Sequence, residues 1–216
     1  MVLTVSPAQL TLSPGSEVIL SNQSWSDYEA LLDSRGDDGF IKVSFNAQTG
    51  EITLMAPMPG HGRRIDTLSD LVKALLRHQQ RDYDSAHPVT FKRFQEAGTE
   101  PDASFYIQNW QSISGKDRID LSKDLPADLA IEVDLTSLPR RDIYRVLGVP
   151  ELWIYREKEL KIYVLVEGRY VDSQVSPTFP DMDVKSILPE YVELAWRPCS
   201  SKALRDFDAF LSSHPS

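Results

Sequence analysis

The stretch Ala127-Asp128-Leu129-Ala130-Ile131-Glu132-Val133-Asp134-Leu135 decides how the rest of this chain is read. Alternate residues of an extended strand point to opposite sides. Leu129, Ile131, Val133 and Leu135 therefore share one face, and Asp128, Glu132 and Asp134 share the other. The apolar face requires a core to lie against. Three acids on the opposite face are unfavourable neighbours unless a cation sits among them. The competing reading is the polar outer face of an edge strand. Immediately downstream, Arg140 to Leu147 reads as a short helix stopped by Gly148, with Pro150 two residues on. Arg140 and Arg141 stand in its first turn, where positive charge opposes the helix dipole. A phosphate, or the carboxylates of the preceding strand, would offset that charge. An ion pair with Asp142 or Asp134 would offset it with no ligand at all.

Upstream of this stretch, Pro101-Asp102 opens an apolar segment, Asp102 to Ile107, that reads as a strand, with a second candidate at His87 to Phe94. The polar segment Asn109 to Asp124 reads as a loop. Further back, Ile65, Leu68, Leu71, Val72, Leu75 and Leu76 recur at helical spacing. The outer face of that helix carries acids first (Asp66, Asp70) and bases later (Lys73, Arg77, Arg81), as the helix dipole favours. These bases read as a solvated face. Ile41 to Phe45 and Glu51 to Met55 form a hairpin signal around Asn46-Ala47-Gln48-Thr49-Gly50. Ser26-Asp27-Tyr28-Glu29 has capping-box spacing ahead of Leu31 and Leu32, with Gly36 as a stop.

Residues Met1 to Gln23 show no clear periodicity, so 1–24 reads as an arm and 25–216 as a single domain. Downstream, Leu152 to Tyr155, Leu160 to Val166 and Tyr170 to Val175 read as a meander. Val184 to Phe210 reads as helical material interrupted by Pro189 and Pro198. The sum is an α/β (α+β) fold with an N-terminal antiparallel hairpin, a mixed central sheet and flanking helices.

The 216 residues are enough to bury a core without a staple. A hydrophobic fraction of 41% with 25% charged residues is globular, and no apolar run approaches the roughly 20 residues that span a bilayer. No membrane association is expected. The start of the chain lacks a basic region followed by an unbroken apolar stretch, so it does not resemble a secretory signal. A lone cysteine, Cys199, makes no internal disulfide and fits a reducing, cytoplasmic setting. A formal net charge of -9 argues against coating nucleic acid by bulk attraction, so any contact with DNA requires a local basic patch.

Hydrolysis of a phosphodiester at neutral pH needs an activated water and relief of charge on the phosphate. A divalent cation held by carboxylates supplies both. Magnesium keeps several waters, so two protein carboxylates are enough. Asp102 and Glu132 would meet if their strands were neighbours, with Asp134 on the same face as Glu132. His78, His87 and His214 have no ligand spacing with one another or with the acids.

Several blocks carry a family likeness: Leu54-Met55-Ala56-Pro57-Met58-Pro59-Gly60-His61, Pro101-Asp102 with Tyr106, Ile131-Glu132-Val133-Asp134-Leu135-Thr136-Ser137, and Tyr144 with Leu147-Gly148-Val149-Pro150-Glu151-Leu152-Trp153. From about Trp25 onward the chain resembles the restriction endonuclease family known as Uma2, a branch of the PD-(D/E)XK nuclease superfamily. The resemblance implies a restriction-endonuclease-like mixed sheet flanked by helices, usually in a homodimer, acting on DNA with Mg or Mn. It implies Asp102 and Glu132 as metal-binding acids. The superfamily lysine would lie two residues after the glutamate, where this chain has Asp134. In the family the lysine stands instead on the following helix, at the position of Arg140. Arginine stays charged and cannot serve as a base, though it can steady a phosphate. His61 matches a histidine near the start of the family's first long helix, where a local capping role competes with contact to the site.

The expectation is therefore an endonuclease-like phosphodiesterase with Asp102, Glu132 and Arg140 as catalytic residues, and Asp134 and His61 as accessories. The alternative is a nuclease-fold protein whose activity is weakened or lost and which serves as a binding or regulatory module. A metal hydrolase of another substrate is a third reading, because acids on a strand do not name a substrate.

Overall fold

A computed structural model of the chain describes residues 11–36, 41–87, 89–133 and 141–214. In chain order the elements are β1 (Glu17–Leu20), α1 (Trp25–Arg35), β2 (Lys42–Asn46), β3 (Glu51–Met55), α2 (Pro59–His78), β4 (Asp84–Ser85), β5 (Phe91–Arg93), β6 (Ala97–Thr99), β7 (Ala103–Tyr106), β8 (Leu129–Val133), α3 (Arg141–Leu147), β9 (Glu151–Arg156), β10 (Glu159–Val166), β11 (Arg169–Ser173), α4 (Val184–Trp196) and α5 (Ser200–Ser213). The strands form two sheets rather than one. The first is five-stranded, in the order β1-β3-β2-β6-β5, and its pairs are antiparallel. The second is six-stranded, in the order β11-β10-β9-β8-β7-β4. It is mixed because β8 and β9 run parallel, with α3 lying between them in sequence.

The hairpin expected at the N-terminal side is β2–β3, paired from Lys42↔Met55 to Asn46↔Glu51. The segment read as an irregular arm supplies β1, which pairs with β3 from Glu17↔Met55 to Leu20↔Ile52. The capping box of α1 lies two residues earlier than its spacing suggested. Ser24 is the N-cap and accepts from the Asp27 backbone N–H, while the Asp27 carboxylate accepts from the Ser24 backbone N–H at 2.8 Å.

Helix α2 presents the expected stripe, and Leu68, Leu71, Val72, Leu75 and Leu76 are fully buried. They pack against Leu129, Ile131 and Val133 of β8, with α4 and α5 closing the same side. Strand β8 is buried on both faces: Ala130, on the opposite face, is buried among Tyr106, Leu152 and the α3 residues Ile143, Tyr144 and Leu147. A central strand flanked on both sides, not an edge, explains that pattern.

Candidate active site at the crossing between the sheets

The chain passes from the first sheet to the second through Glu100-Pro101-Asp102, between β6 and β7. Two pairings converge there. In the second sheet, β7 runs antiparallel to β8 with Ala103 opposite Ile131, so Asp102 comes opposite Glu132 one step further along. In the first sheet, β2 pairs with β6 with Phe45 opposite Gly98, and continuing that register carries Lys42 to the Pro101–Asp102 corner. Glu100 fixes the corner. It takes a bidentate ion pair from Arg35 (2.5 and 2.6 Å) and bonds from the Val43 backbone N–H (3.2 Å) and Thr90 Oγ1 (3.1 Å).

The Asp102 side chain is 1% exposed and every oxygen is engaged. Its Oδ2 accepts from the Val133 backbone N–H and from His61 Nε2, each at 2.7 Å, and its Oδ1 accepts from Lys42 Nζ. A carboxylate only accepts, so His61 carries its proton on Nε2. Glu132 accepts from the Tyr144 hydroxyl on Oε1, and its Oε2 lies 3.5 Å from Lys42 Nζ. Lys42 thus stands between the two carboxylates, an ammonium at the point where a cation would be held.

Burial works against ionising Asp102, but the Lys42 charge and the His61 hydrogen bond outweigh it and hold its carboxyl well below the usual range. Glu132 is shifted the other way: burial first, then the negative charge of Asp102, push its carboxyl up against the opposing pull of Lys42 and Tyr144. Burial would lower the Lys42 ammonium, but Asp102 and Glu132 raise it and keep it charged. Burial and the Glu132 charge push the Tyr144 hydroxyl well above its ordinary range. Two neighbouring acids driven apart in this way are typical of sites where charge is managed for chemistry.

As a donor set, two carboxylates fit a hard divalent ion such as Mg or Mn. Among the described residues no group of three or more His, Cys, Asp or Glu side chains would cage an ion. An ion here would therefore complete its shell with water or a substrate oxygen, as magnesium commonly does.

Residues 25–197 match the Uma2 family, described as "Putative restriction endonuclease". The chain belongs to the Uma2 family. A crystal structure described as a "putative nuclease belonging to DUF820" from Anabaena variabilis is similar at 16% identity, covering 69% of this chain and 90% of that one, with a TM-score of 0.47. No curated protein matches.

Asp102, immediately before β7, and Glu132, on the neighbouring β8, share the Lys42 ammonium. His61 reaches Asp102 from the first turn of α2 rather than capping that helix with its side chain. Asp134 and Arg140 lie outside the described residues. Asp128, on the same strand face as Glu132 in the alternation, serves the backbone instead. Its Oδ2 accepts from the backbone N–H groups of Ile107, Gln108 and Asn109, pinning the turn after β7. Arg141 stacks on Tyr163 with its guanidinium 4.6 Å from the ring centre. Lys42 and Tyr144 received no role from sequence reading. Lys42 alternates with Val43 and Phe45, two core residues, and so reads as solvent-facing. Only the non-local β2–β6 pairing reveals where it sits. Tyr144 stood within the family block, and a tyrosine one helix turn into α3 was the available signal.

Proposed function

We propose that this chain is a metal-dependent nuclease that hydrolyses DNA phosphodiester bonds, with Asp102 and Glu132 holding Mg or Mn. The observation that carries the reading is the meeting of these two carboxylates around one cationic point at the crossing between the sheets. When bound, the ion would activate a water and draw charge from the phosphate. The chain's own residues do the rest. The Val133 backbone N–H and His61 orient Asp102, and Tyr144 orients Glu132. Arg140, at the position where the family carries lysine, is assigned to steadying the phosphate, with Asp134 as an accessory acid. A homodimer would bring two such sites to the two strands of a duplex. A cytoplasmic setting accords with the lone cysteine.

Purified protein with MgCl2 or MnCl2 is expected to nick supercoiled plasmid, and Glu132→Ala is expected to abolish the nicking. A second reading, a nuclease-fold binding module, is favoured by one observation: all four carboxylate oxygens of the pair already have protein partners. Failure to cleave with any divalent ion, together with cleavage gained in Arg140→Lys, would establish that reading instead.

A further inference from the structure

We infer that Lys42 is the exchangeable cation of this site: it sits between Asp102 and Glu132 as their shared counter-ion until a divalent ion takes its place, and once displaced its ammonium faces the substrate phosphate. The inference rests on the metal-site reading above.

Three observations support it. First, the Lys42 ammonium contacts one oxygen of each carboxylate, Oδ1 of Asp102 and Oε2 of Glu132. The other oxygens have partners of their own: the Val133 backbone N–H, His61 Nε2 and the Tyr144 hydroxyl. Lys42 therefore contacts both acids at once, through the oxygens that the other partners leave. Second, a buried and a half-buried acid without a cation would repel one another in a poorly screened setting. The chain needs a counter-ion whenever metal is absent, and among the described ion pairs Lys42 is the only lysine or arginine that reaches either acid. Third, Lys42 is the least buried of the three, its side chain 20% exposed against 1% for Asp102 and 14% for Glu132. Its four-carbon stem runs from the first residue of β2, so it can leave the carboxylates without the strand moving. A displaced ammonium on that tether stays beside the acids, where an arriving phosphate brings negative charge.

The distinguishing signature is a pair of effects of opposite sign. In Lys42→Met, Mn2+ titrated against the protein and followed by electron paramagnetic resonance should bind about tenfold more tightly, because the competing charge is gone. Plasmid nicking at saturating Mn2+ should fall about a hundredfold, the usual scale for losing one charged contact to a transition state. Lys42→Gln, which keeps a polar side chain of similar length, should show the same two changes, so that a folding defect in one variant does not decide the matter. Circular dichroism checks that both variants fold. Lys73→Met, which removes an α2 lysine paired with Asp70 at 3.6 Å, should alter neither quantity. Mn2+ affinity that is unchanged or weaker in both Lys42 variants overturns the exchange while leaving the metal site standing. Tighter binding with undiminished nicking overturns the phosphate contact. An absence of Mn2+ binding in wild type and variants alike overturns the metal-site reading, and this inference with it.

Discussion

At the residue scale, the candidate site is a set of charges whose partners come from distant parts of the chain. Asp102 bonds His61, 41 positions away, and Lys42, 60 positions away. Asp102 and Glu132 are legible in the sequence because a proline-led strand and an acid on an apolar strand are local patterns. Lys42 is not, because which lysine pairs with a buried acid is set by strand pairing between β2 and β6, and no local pattern encodes that. A second buried acid shows how misleading burial alone would be. Glu151, 2% exposed in the Gly-Val-Pro-Glu block, accepts from Trp153 Nε1 (2.6 Å), Ser176 Oγ (2.7 Å), the Thr178 backbone N–H (2.9 Å) and Thr178 Oγ1 (2.5 Å). Its partners are all neutral donors, so its work is to tie the segment around 176–179 to the start of β9. Glu151→Ala would leave several buried donors without an acceptor, at about 1–3 kcal/mol for each left fully dry. A loss of about 3 kcal/mol is expected, seen as a fall of about 9 °C in the calorimetric melting temperature. The Mn2+ affinity of the folded protein should be unchanged, and a change in it would assign Glu151 to the site.

At the scale of elements, the long periodic segments were legible and the short ones were not. The α2 stripe and the β9–β10–β11 meander follow from hydrophobic spacing and from turns at Glu157-Lys158 and Glu167-Gly168, where the structure has positive φ values. Strands β4 and β6, of two and three residues, carry too few side chains to show a period, although β6 leads directly into the crossing between the sheets. Strand β6 depends on Gly98 for a packing reason. A β-carbon there would overlap the ring and hydroxyl of Tyr28, a fully buried α1 residue. That close approach presses α1 onto the first sheet and brings Arg35, on the same helix, to Glu100. Gly98→Ala should therefore cost about 2 kcal/mol, in the range of an overpacked core. Combining it with Tyr28→Leu, which removes the ring that the new methyl meets, should cost less than the sum of the two single changes. Urea unfolding of the two single variants and the double variant measures this coupling, and strict additivity would show that the contact is not the source of the loss.

At the scale of the whole molecule, the two sheets share their interior, which places a constraint on how the protein unfolds. Phe91 and Ala97 of the first sheet lie in one apolar cluster with Tyr106, Ala130 and Leu152 of the second and with Ile143 and Leu147 of α3. Polar links cross the same boundary: Arg93 donates to the Leu147 carbonyl at 3.1 Å, and the Leu121 backbone N–H to the Lys92 carbonyl at 2.8 Å. The candidate site adds Lys42 of the first sheet to Asp102, just ahead of β7, and Glu132 of β8. Neither sheet can open without exposing part of a cluster that the other sheet also uses, so the free-energy cost of separating them approaches that of global unfolding. Tryptophans report on each side. Trp25 packs on Tyr28 and Phe45 against the first sheet, and Trp153 is buried beside Phe179 on the far side of the second. With fluorine-labelled tryptophan, the native resonances of Trp25 and Trp153 should vanish at the same urea concentration and with the same slope. A Trp25 signal lost at distinctly lower urea, with Trp153 still native, would mean that the first sheet melts independently. The lysine delivered by β2 would then leave the acids before the second sheet had unfolded, and metal added in that window should bind without having to displace it.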